Sequence, residues 1–239
     1  LVEIIGPGGY KIAVHTFHSF GSEIINQHRE HFYRGAVFQP ADDLRQLEIL
    51  QSILSELPLD SPLASTMNGQ FTYLTDVKNV ISELKRSGLT SEQLLEVLSD
   101  TQEDIDHIEA LLNDIFIDRI SAKVIPKLEQ VIEGLASYSS SRQARFEIIP
   151  LAQVATSSLQ QALSQAQASG KTPAISAWKK QWFTGKDDSF GLKTRDQVKK
   201  LRAASSAYFS YLSRMEQAGL YDYDDMILQV VQQLETSDD

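Results

Sequence analysis

Residues 90–116, TSEQLLEVLSDTQEDIDHIEALLNDIF, decide the fold class of this chain. Thr90 and Gln93 have the spacing of a capping box, in which two side chains bond backbone amides at the start of a helix. Apolar residues then return at the spacing of one helix face. They are Leu94, Leu95, Leu98, Ile105, Ile108, Leu111, Leu112, Ile115 and Phe116. The acidic residues fall on the opposite face, so we expect a long amphipathic helix whose acids are solvated.

Helical spacing of apolar residues also dominates the rest of the chain. Several of these segments end at a proline or a glycine, namely Pro58, Gly88, Gly170 and Gly219. Thr172 and Pro173 supply an N-cap and a first-turn proline, and the serine-rich run at 137–142 predicts a helix end. Residues 146–154 are ambiguous between strand and coil. The clearest strand signal is at residues 12–14, and helical spacing dominates elsewhere. The sequence therefore predicts a mostly α fold with a strand or two at its beginning.

Composition excludes several classes of protein. The 239 residues contain no cysteine, which excludes disulfides and thiolate metal sites and fits a reducing, cytoplasmic compartment of the bacterial type. No apolar run is long enough to cross a membrane, so we expect no membrane partner. The net charge of −10 argues against a uniformly basic protein that binds nucleic acid.

The charge is unevenly distributed, however. Residues 92–118 hold nine acids and no Lys or Arg, whereas residues 171–202, here called the basic stretch, hold nine bases and three acids. Aromatic residues alternate with those bases: Trp178, Trp182, Phe183 and Phe190. Cations beside aromatic rings suit nucleic acid, because cations bind phosphates and rings stack on bases. A core built from the rings with a solvated lysine face explains the pattern equally well.

Short motifs give no nucleotide or metal site within the chain. SGKT at 169–172 resembles a phosphate-binding loop, but the loop needs a glycine where Gln165 stands. GPGG at 6–9 indicates a turn. Histidine pairs with i, i+3 spacing (His15 with His18, His28 with His31) have no convincing third ligand. DYDD at 222–225 could bind magnesium, but a helix N-cap is the favoured interpretation.

The segment IAVHTFHSFGSEII at 12–25 concentrates hydroxyl, imidazole and aromatic side chains. Residues 12–14 predict a short strand, and Phe20, Ile24 and Ile25 predict a helix after it. The polar side chains therefore lie at a strand-to-helix turn, where α/β proteins commonly bind ligands.

Several segments, in this order, resemble the UvrD/Rep family of superfamily-one DNA helicases. TFHSF at 16–20 resembles the motif usually called Ib of that family. Other segments resemble the helical insertion of the family and the return into its motor core: ADDLRQLEIL (41–50), ISELKRSGLTSEQ (81–93), AWKKQWF (177–183) and GLYDYDDMILQVV (219–231). In the family, a stretch like GLYDYDDMI shortly precedes the magnesium-binding acidic motif.

The resemblance implies a fold and a site. Residues 1–35 would be a remnant of a RecA-like P-loop motor subdomain, 36–215 a helical insertion (1B-like) subdomain, and 216–239 a helix returning to the motor. Thr16, His18 and Ser19 are the candidates for contact with the single-stranded DNA backbone, and Phe17 is either core or a stacking platform. Lys179, Lys180 and Lys199 are the candidates for contact with a duplex junction.

The resemblance also implies what this chain lacks. The Walker A loop of the family would precede Leu1 and its acidic motif would follow Asp239, so we expect a fragment with no catalytic residue, metal or cofactor of its own. The parent enzyme is expected to hydrolyse ATP with Mg²⁺ and to translocate 3′ to 5′ on single-stranded DNA, with the remaining helicase subdomains as partners. Two alternatives stay open: a helical protein-interaction module that docks through its acidic segments, and part of a helicase–nuclease subunit.

Overall fold

A computed structural model describes residues 15–32, 38–185 and 189–236, except for the side chain of His18. Its chain divides into two compact units. Unit 1 consists of Leu1–Thr90 with Ser206–Asp239, and unit 2 consists of Ser91–Ser205. Most described residues are helical, which confirms the predicted mostly α fold class. The predicted boundaries at residues 35 and 215 refer to subdomains of a parent enzyme and stay a prediction.

The helices, in chain order, are α1 (Phe17–Gln27), α2 (Asp43–Ser55), α3 (Leu74–Ser87), α4 (Ser91–Phe116), α5 (Val124–Ser141), α6 (Leu151–Ser169), α7 (Pro173–Trp182), α8 (Thr194–Gln217) and α9 (Tyr223–Thr236), with a 3-10 turn at Arg29–His31. The strands are β1 (Gln39–Pro40), β2 (Thr66–Met67), β3 (Gln70–Phe71), β4 (Phe183–Thr184), β5 (Gly191–Leu192) and β6 (Leu220–Tyr221). Each of these strands has only two residues, so the strand pairs connect neighbouring helices and do not form an extended sheet.

Unit 1 is built around the packing of α9 on α1 and α3. β1 and β6 pair in parallel, with Gln39 opposite Leu220, and this pair leads directly into α9. The adjoining core consists of Ile25, Phe32, Tyr221, Met226 and Val230. α2 packs on α3, and β2 forms an antiparallel hairpin with β3. The start of α1 and the start of α9 therefore belong to one packed unit.

Unit 2 is a helical cluster in which α4 packs on α5 and α6, and α6 packs on α5 and α7. The apolar face predicted for α4 is its core: Ile105, Ile108, Leu112 and Phe116 are fully buried. Residues on the other helices of the unit are equally buried, among them Leu128, Leu135, Leu159 and Ile175. Burying a side chain of this size contributes about 1.5–3 kcal/mol, so this face holds the unit together.

Several predicted helix ends are confirmed. Gly88 and Gly170 are C-caps in the left-handed conformation, with φ values of 68° and 64°. Pro173 is the first residue of α7, as predicted. The helix end predicted in the serine-rich run at 137–142 is confirmed, but it lies at the far end of that run. α5 continues to Ser141, and Ser139, Ser140 and Ser141 donate their hydroxyls to carbonyls three residues earlier while remaining helical.

Two further predictions concern strands and membranes. The strand predicted at residues 12–14 lies outside the described residues. Residues 146–154, ambiguous in sequence, form a tight turn followed by the start of α6. Among the helices that the structure describes, none has both the length and the apolar character needed to cross a bilayer.

Candidate nucleic-acid interface

The TFHSF segment forms the start of α1. Thr16 is the N-cap: its Oγ1 accepts a hydrogen bond from the Ser19 backbone amide at 3.2 Å. The Ser19 hydroxyl donates in return to the Thr16 carbonyl at 3.0 Å. Two of the residues predicted to contact DNA therefore fix the first turn of this helix. A helix N-terminus favours anions through its free amides and its dipole, so the turn can bind phosphate.

Phe17 is a solvent-exposed aromatic residue at this helix start. Its exposed fraction is 85%, so Phe17 does not belong to the core. The alternative role, a platform on which a base stacks, stays a prediction. Phe20, one turn later, is 53% exposed. Nearby, the His15 Nε2 lies 3.1 Å from a carboxylate oxygen of Glu23. An exposed ring beside a helix N-terminus can stack on a base while the amides bind its phosphate.

The start of α9 carries a buried network of charged residues. The Lys85 ammonium, from α3, lies 2.6 Å from a carboxylate oxygen of Asp222 and 2.6 Å from one of Asp225. The Tyr211 hydroxyl donates to Asp222 at 3.0 Å. Lys85 is 2% exposed, and a buried ammonium is tolerated only when it is paired in this way. We call Lys85, Tyr211, Asp222 and Asp225 the buried cluster.

The predicted N-cap at 222–225 is confirmed. Asp222 accepts a hydrogen bond from the Asp225 amide at 2.9 Å, and the Asp222 amide donates back to Asp225 at 3.3 Å. Within the described residues, no group of three or more His, Cys, Asp or Glu side chains is arranged to hold a metal ion. The predicted pair of His15 with His18 includes a side chain outside the described part of the structure. The acids of the 222–225 segment hold α9 in place.

Burial and charge shift the pKa values of the buried cluster. Burial acts to raise the pKa of Asp222, but the charge and hydrogen bond of Lys85 outweigh it and hold that pKa below its usual range. Burial raises the pKa of Asp225, and the attraction of Lys85 offsets this only in part. Burial also raises the pKa of Tyr208 to about 12, with help from the two aspartates. The buried cluster therefore favours the ionised form of Asp222 and disfavours the ionised form of Asp225.

A polar cavity of about 330 Å³ adjoins the buried cluster in unit 1. Its charged side chains are paired across the wall: Lys78 with Asp43 at 2.9 Å, and Arg86 with Asp224 at 3.2 Å. The Ser82 hydroxyl also bonds Asp224. Both cations of the wall, Lys78 and Arg86, are therefore already paired with an aspartate.

The aromatic residues of the basic stretch belong to the core of unit 2. Trp178 and Phe183 are 4% exposed, and both pack against Phe116 of α4. Trp178 stacks on Trp182, and Phe183 stacks on Phe190, with ring centroids 5.5 and 5.1 Å apart. Of the two interpretations of these rings, the core is therefore the one that the structure favours over base stacking.

The lysines predicted to contact DNA differ in their surroundings. Lys179 is half-buried: its ammonium donates to the Asp118 carbonyl at 2.7 Å, and burial lowers its pKa. Lys180 is exposed, and its carbonyl accepts a hydrogen bond from the Lys193 ammonium. Lys199 is exposed on α8, with Asp196 3.7 Å away. Lys180 and Lys199 are thus free to meet phosphate, while Lys179 mainly fastens α7 to the end of α4.

The contact of Lys179 with Asp118 draws attention to two basic residues that the sequence analysis did not name as candidates. Arg119, the next residue, and Lys123 are both exposed. They lie about fifty residues before α7 in the sequence, so no local pattern connects them with the basic stretch. The fold places the Asp118 carbonyl beside the Lys179 ammonium, and the exposed bases Arg119 and Lys123 follow Asp118 in the chain.

The prediction that the acids of α4 are merely solvated is wrong for two of them. Asp104 is 1% exposed and binds the Arg142 guanidinium at 2.8 Å, the Tyr138 hydroxyl at 3.0 Å and the Ala152 amide at 2.9 Å. Glu109 accepts from the Leu192 amide at 2.7 Å and from Arg195 at 2.6 Å. These acids join distant segments of unit 2.

The position of the Glu109 carboxylate also accounts for the glycine at residue 191. A Cβ at Gly191 would lie 2.7 Å from the Glu109 carboxylate, closer than such atoms approach. A side chain at position 191 would therefore force the Glu109 carboxylate to move from the position in which it accepts from the Leu192 amide.

Comparison with protein families identifies the chain. The family described as the UvrD/REP helicase N-terminal domain matches residues 6–239. Because the match covers nearly the whole chain, the chain belongs to the UvrD/Rep helicase family, as its motifs predict. No curated protein and no solved structure matches it significantly.

Proposed function

We propose that this chain is the DNA-contacting helical part of an ATP-dependent 3′–5′ DNA helicase or translocase. The observation that carries the proposal is the position of TFHSF, as a capped helix start with an exposed ring, in a member of this family. The first turn of α1 would bind single-stranded DNA, its amides on phosphate and Phe17 on a base. Such contacts hold DNA without reading its sequence.

The basic stretch supplies the second part of the proposal. Lys180 and Lys199, with Arg119 and Lys123, would bind the phosphates of a duplex junction. The overall charge of −10 does not prevent this, because the Debye length is about 8 Å at physiological salt and local potential decides phosphate binding. Lys179 contributes less, since its ammonium already donates to a carbonyl.

ATP hydrolysis is assigned to the parent enzyme. Under this proposal, residues 1–35 and 216–239 belong to its RecA-like motor, and 36–215 to its helical insertion. ATP and Mg²⁺ would bind the motor outside this chain, in a cytoplasmic enzyme. The purified chain should therefore show no DNA-stimulated ATP hydrolysis. Hydrolysis above background that follows the chain through purification would contradict this assignment.

The DNA contacts can be tested with two variants that affect different DNA structures. Phe17→Ala should weaken binding of labelled oligothymidine by roughly fivefold to a hundredfold, the value of one base stack. Lys180→Glu with Lys199→Glu should weaken binding of a forked duplex more than that of oligothymidine. Fluorescence anisotropy gives both affinities.

Leu59→Ala is the matched control for Phe17→Ala, because Leu59 is 99% exposed and its loss should leave DNA affinity unchanged. If all variants bind both DNAs as the original chain does, the proposed interface is wrong.

A further inference from the structure

A tight hairpin turn in unit 2 is built from residues that such a turn disfavours. Arg145 and Ile148 form an antiparallel bridge, in which the Ile148 amide donates to the Arg145 carbonyl at 2.9 Å. Between them, Phe146 and Glu147 have φ values of 51° and 63°. Left-handed conformation at both central residues favours Asn-Gly, which the hairpin turn at 68–69 uses with φ values of 52° and 77°. Phe146 and Glu147 are thus held against their local preference.

Two arginines fasten the base of this hairpin to α4. The Arg145 guanidinium lies 2.7 Å from Asp100 and 2.8 Å from Glu96. Arg142 lies 2.8 Å from the buried Asp104. These contacts anchor the turn on a long helix, which lets the surrounding structure impose the unfavourable conformation.

The hairpin exposes apolar side chains within an acidic surface. Phe146, Ile148 and Ile149 are 39%, 40% and 62% exposed. We call residues 146–149 the hairpin tip. The carboxylates on and around the tip are Glu96, Asp100, Glu103, Asp104 and Glu147, set against the two guanidinium groups of Arg142 and Arg145. The local net charge is −3, so this surface repels phosphate and attracts cations.

We propose that the hairpin tip is a docking site for a protein segment that carries lysine or arginine beside apolar side chains. Apolar contact with Phe146 and Ile149 would supply affinity, and the surrounding carboxylates would select a basic partner. An anchored tip also has little conformational freedom to lose on binding. This proposal concerns a different surface from the proposed DNA contacts and does not depend on them.

A variant that relaxes the turn tests the proposal without threatening the fold. Phe146→Asn with Glu147→Gly installs the sequence that the turn favours and removes the exposed ring. The probe is a labelled synthetic helical peptide of leucine and lysine, about 18 residues long with one apolar face. The original chain should bind it, and the double variant should bind about tenfold more weakly while melting at the same or a higher temperature.

Two controls separate this site from general attraction to an acidic protein. Glu147→Gly alone removes the same charge and keeps Phe146, so it should weaken binding less than the double variant does. Leu59→Ser removes an equally exposed apolar residue elsewhere and should leave the affinity unchanged. A peptide with glutamate in place of lysine should not bind the original chain.

The proposal is overturned if the double variant binds the lysine peptide as the original chain does, or if the glutamate peptide binds equally well. It is also overturned if oligothymidine binding, rather than peptide binding, is lost in the double variant, because the tip would then contact DNA.

Discussion

The DYDD segment at 222–225 and the basic stretch at 171–202 are both rich in charge, but they use that charge in opposite ways. Asp222 and Asp225 point into unit 1, where both lie within ion-pair distance of Lys85. Lys180 and Lys199 remain exposed on unit 2. The first segment therefore stabilises the fold, and the second is available to a partner.

The difference follows from partners that are distant in sequence. Lys85 precedes Asp222 by 137 residues, and packing of α9 on α3 brings the two together. Lys199 instead pairs with Asp196 of its own helix. An exposed ion pair of this kind contributes little to the stability of the fold. Local composition alone cannot distinguish these two outcomes.

The largest effect is expected when the buried cluster loses its cation. Lys85→Met should lower the free energy of unfolding by about 3–5 kcal/mol, because two carboxylates would remain buried without a counter-ion. Urea unfolding followed by circular dichroism measures the change. Lys78→Met, which breaks the more exposed pair with Asp43, should lower it by about 1 kcal/mol or less. Equal losses in the two variants would contradict a special role for the buried cluster.

A similar loss is expected in unit 2 when the buried acid of α4 is removed. Asp104→Ala leaves Arg142, the Tyr138 hydroxyl and the Ala152 amide without their shared acceptor, and should lower the free energy of unfolding by about 3 kcal/mol. Glu103→Ala is the control. It removes a 67%-exposed acid bound to the same arginine, so we expect a loss of at most about 1 kcal/mol. The interpretation fails if Asp104→Ala is as mild as its control.

A smaller effect distinguishes the two aspartates of the buried cluster by pH. The pKa of Asp222 is lowered in the folded chain, so its stabilisation is present above the unfolded pKa of about 3.9 and is lost as pH falls through the folded pKa. The pKa of Asp225 is raised, so its ionisation destabilises the fold as pH rises above about 3.9.

Asn keeps the hydrogen-bonding shape of Asp, so Asp222→Asn and Asp225→Asn isolate these charges. At neutral pH, Asp222→Asn should cost about 1–3 kcal/mol and Asp225→Asn clearly less. Unfolding measured from pH 3 to 7 should show less acid destabilisation in Asp222→Asn than in the original chain. A larger loss for Asp225→Asn would reverse our assignment of the two carboxylates.

The smallest effect on stability is expected in the basic stretch. Lys180→Glu with Lys199→Glu should change the free energy of unfolding by about 0.5 kcal/mol or less, because both side chains are exposed. Thermal melting at two salt concentrations checks this. A loss comparable to that of Lys85→Met would show that these lysines serve the fold, and the contrast between the two segments would disappear.

The sequence was sufficient to predict the helices and their ends but not the pairing of charges. The apolar spacing of α4 predicts its buried face because helix periodicity is local. The burial of Asp104 depends on Arg142 and Ala152, which reach it only after α5 and α6 have packed on α4. In the same way, the contact of Lys179 with the Asp118 carbonyl joins residues that are 61 positions apart in the sequence. For TFHSF, the helix follows from sequence, whereas the Thr16 cap and the exposure of Phe17 required the structure.

The salt dependence of forked-DNA binding tests the central claim most directly. Each phosphate contact contributes about 0.9 to the slope of log K against log salt concentration. We predict that Lys180→Glu with Lys199→Glu weakens forked-DNA binding by the 239-residue chain and flattens this slope by about 2. The same charge change in unit 1, Arg45→Glu with Lys78→Glu, should leave the slope unchanged. Equal slopes for the original chain and the Lys180, Lys199 variant would show that the basic stretch is only a solvated face and would contradict the account.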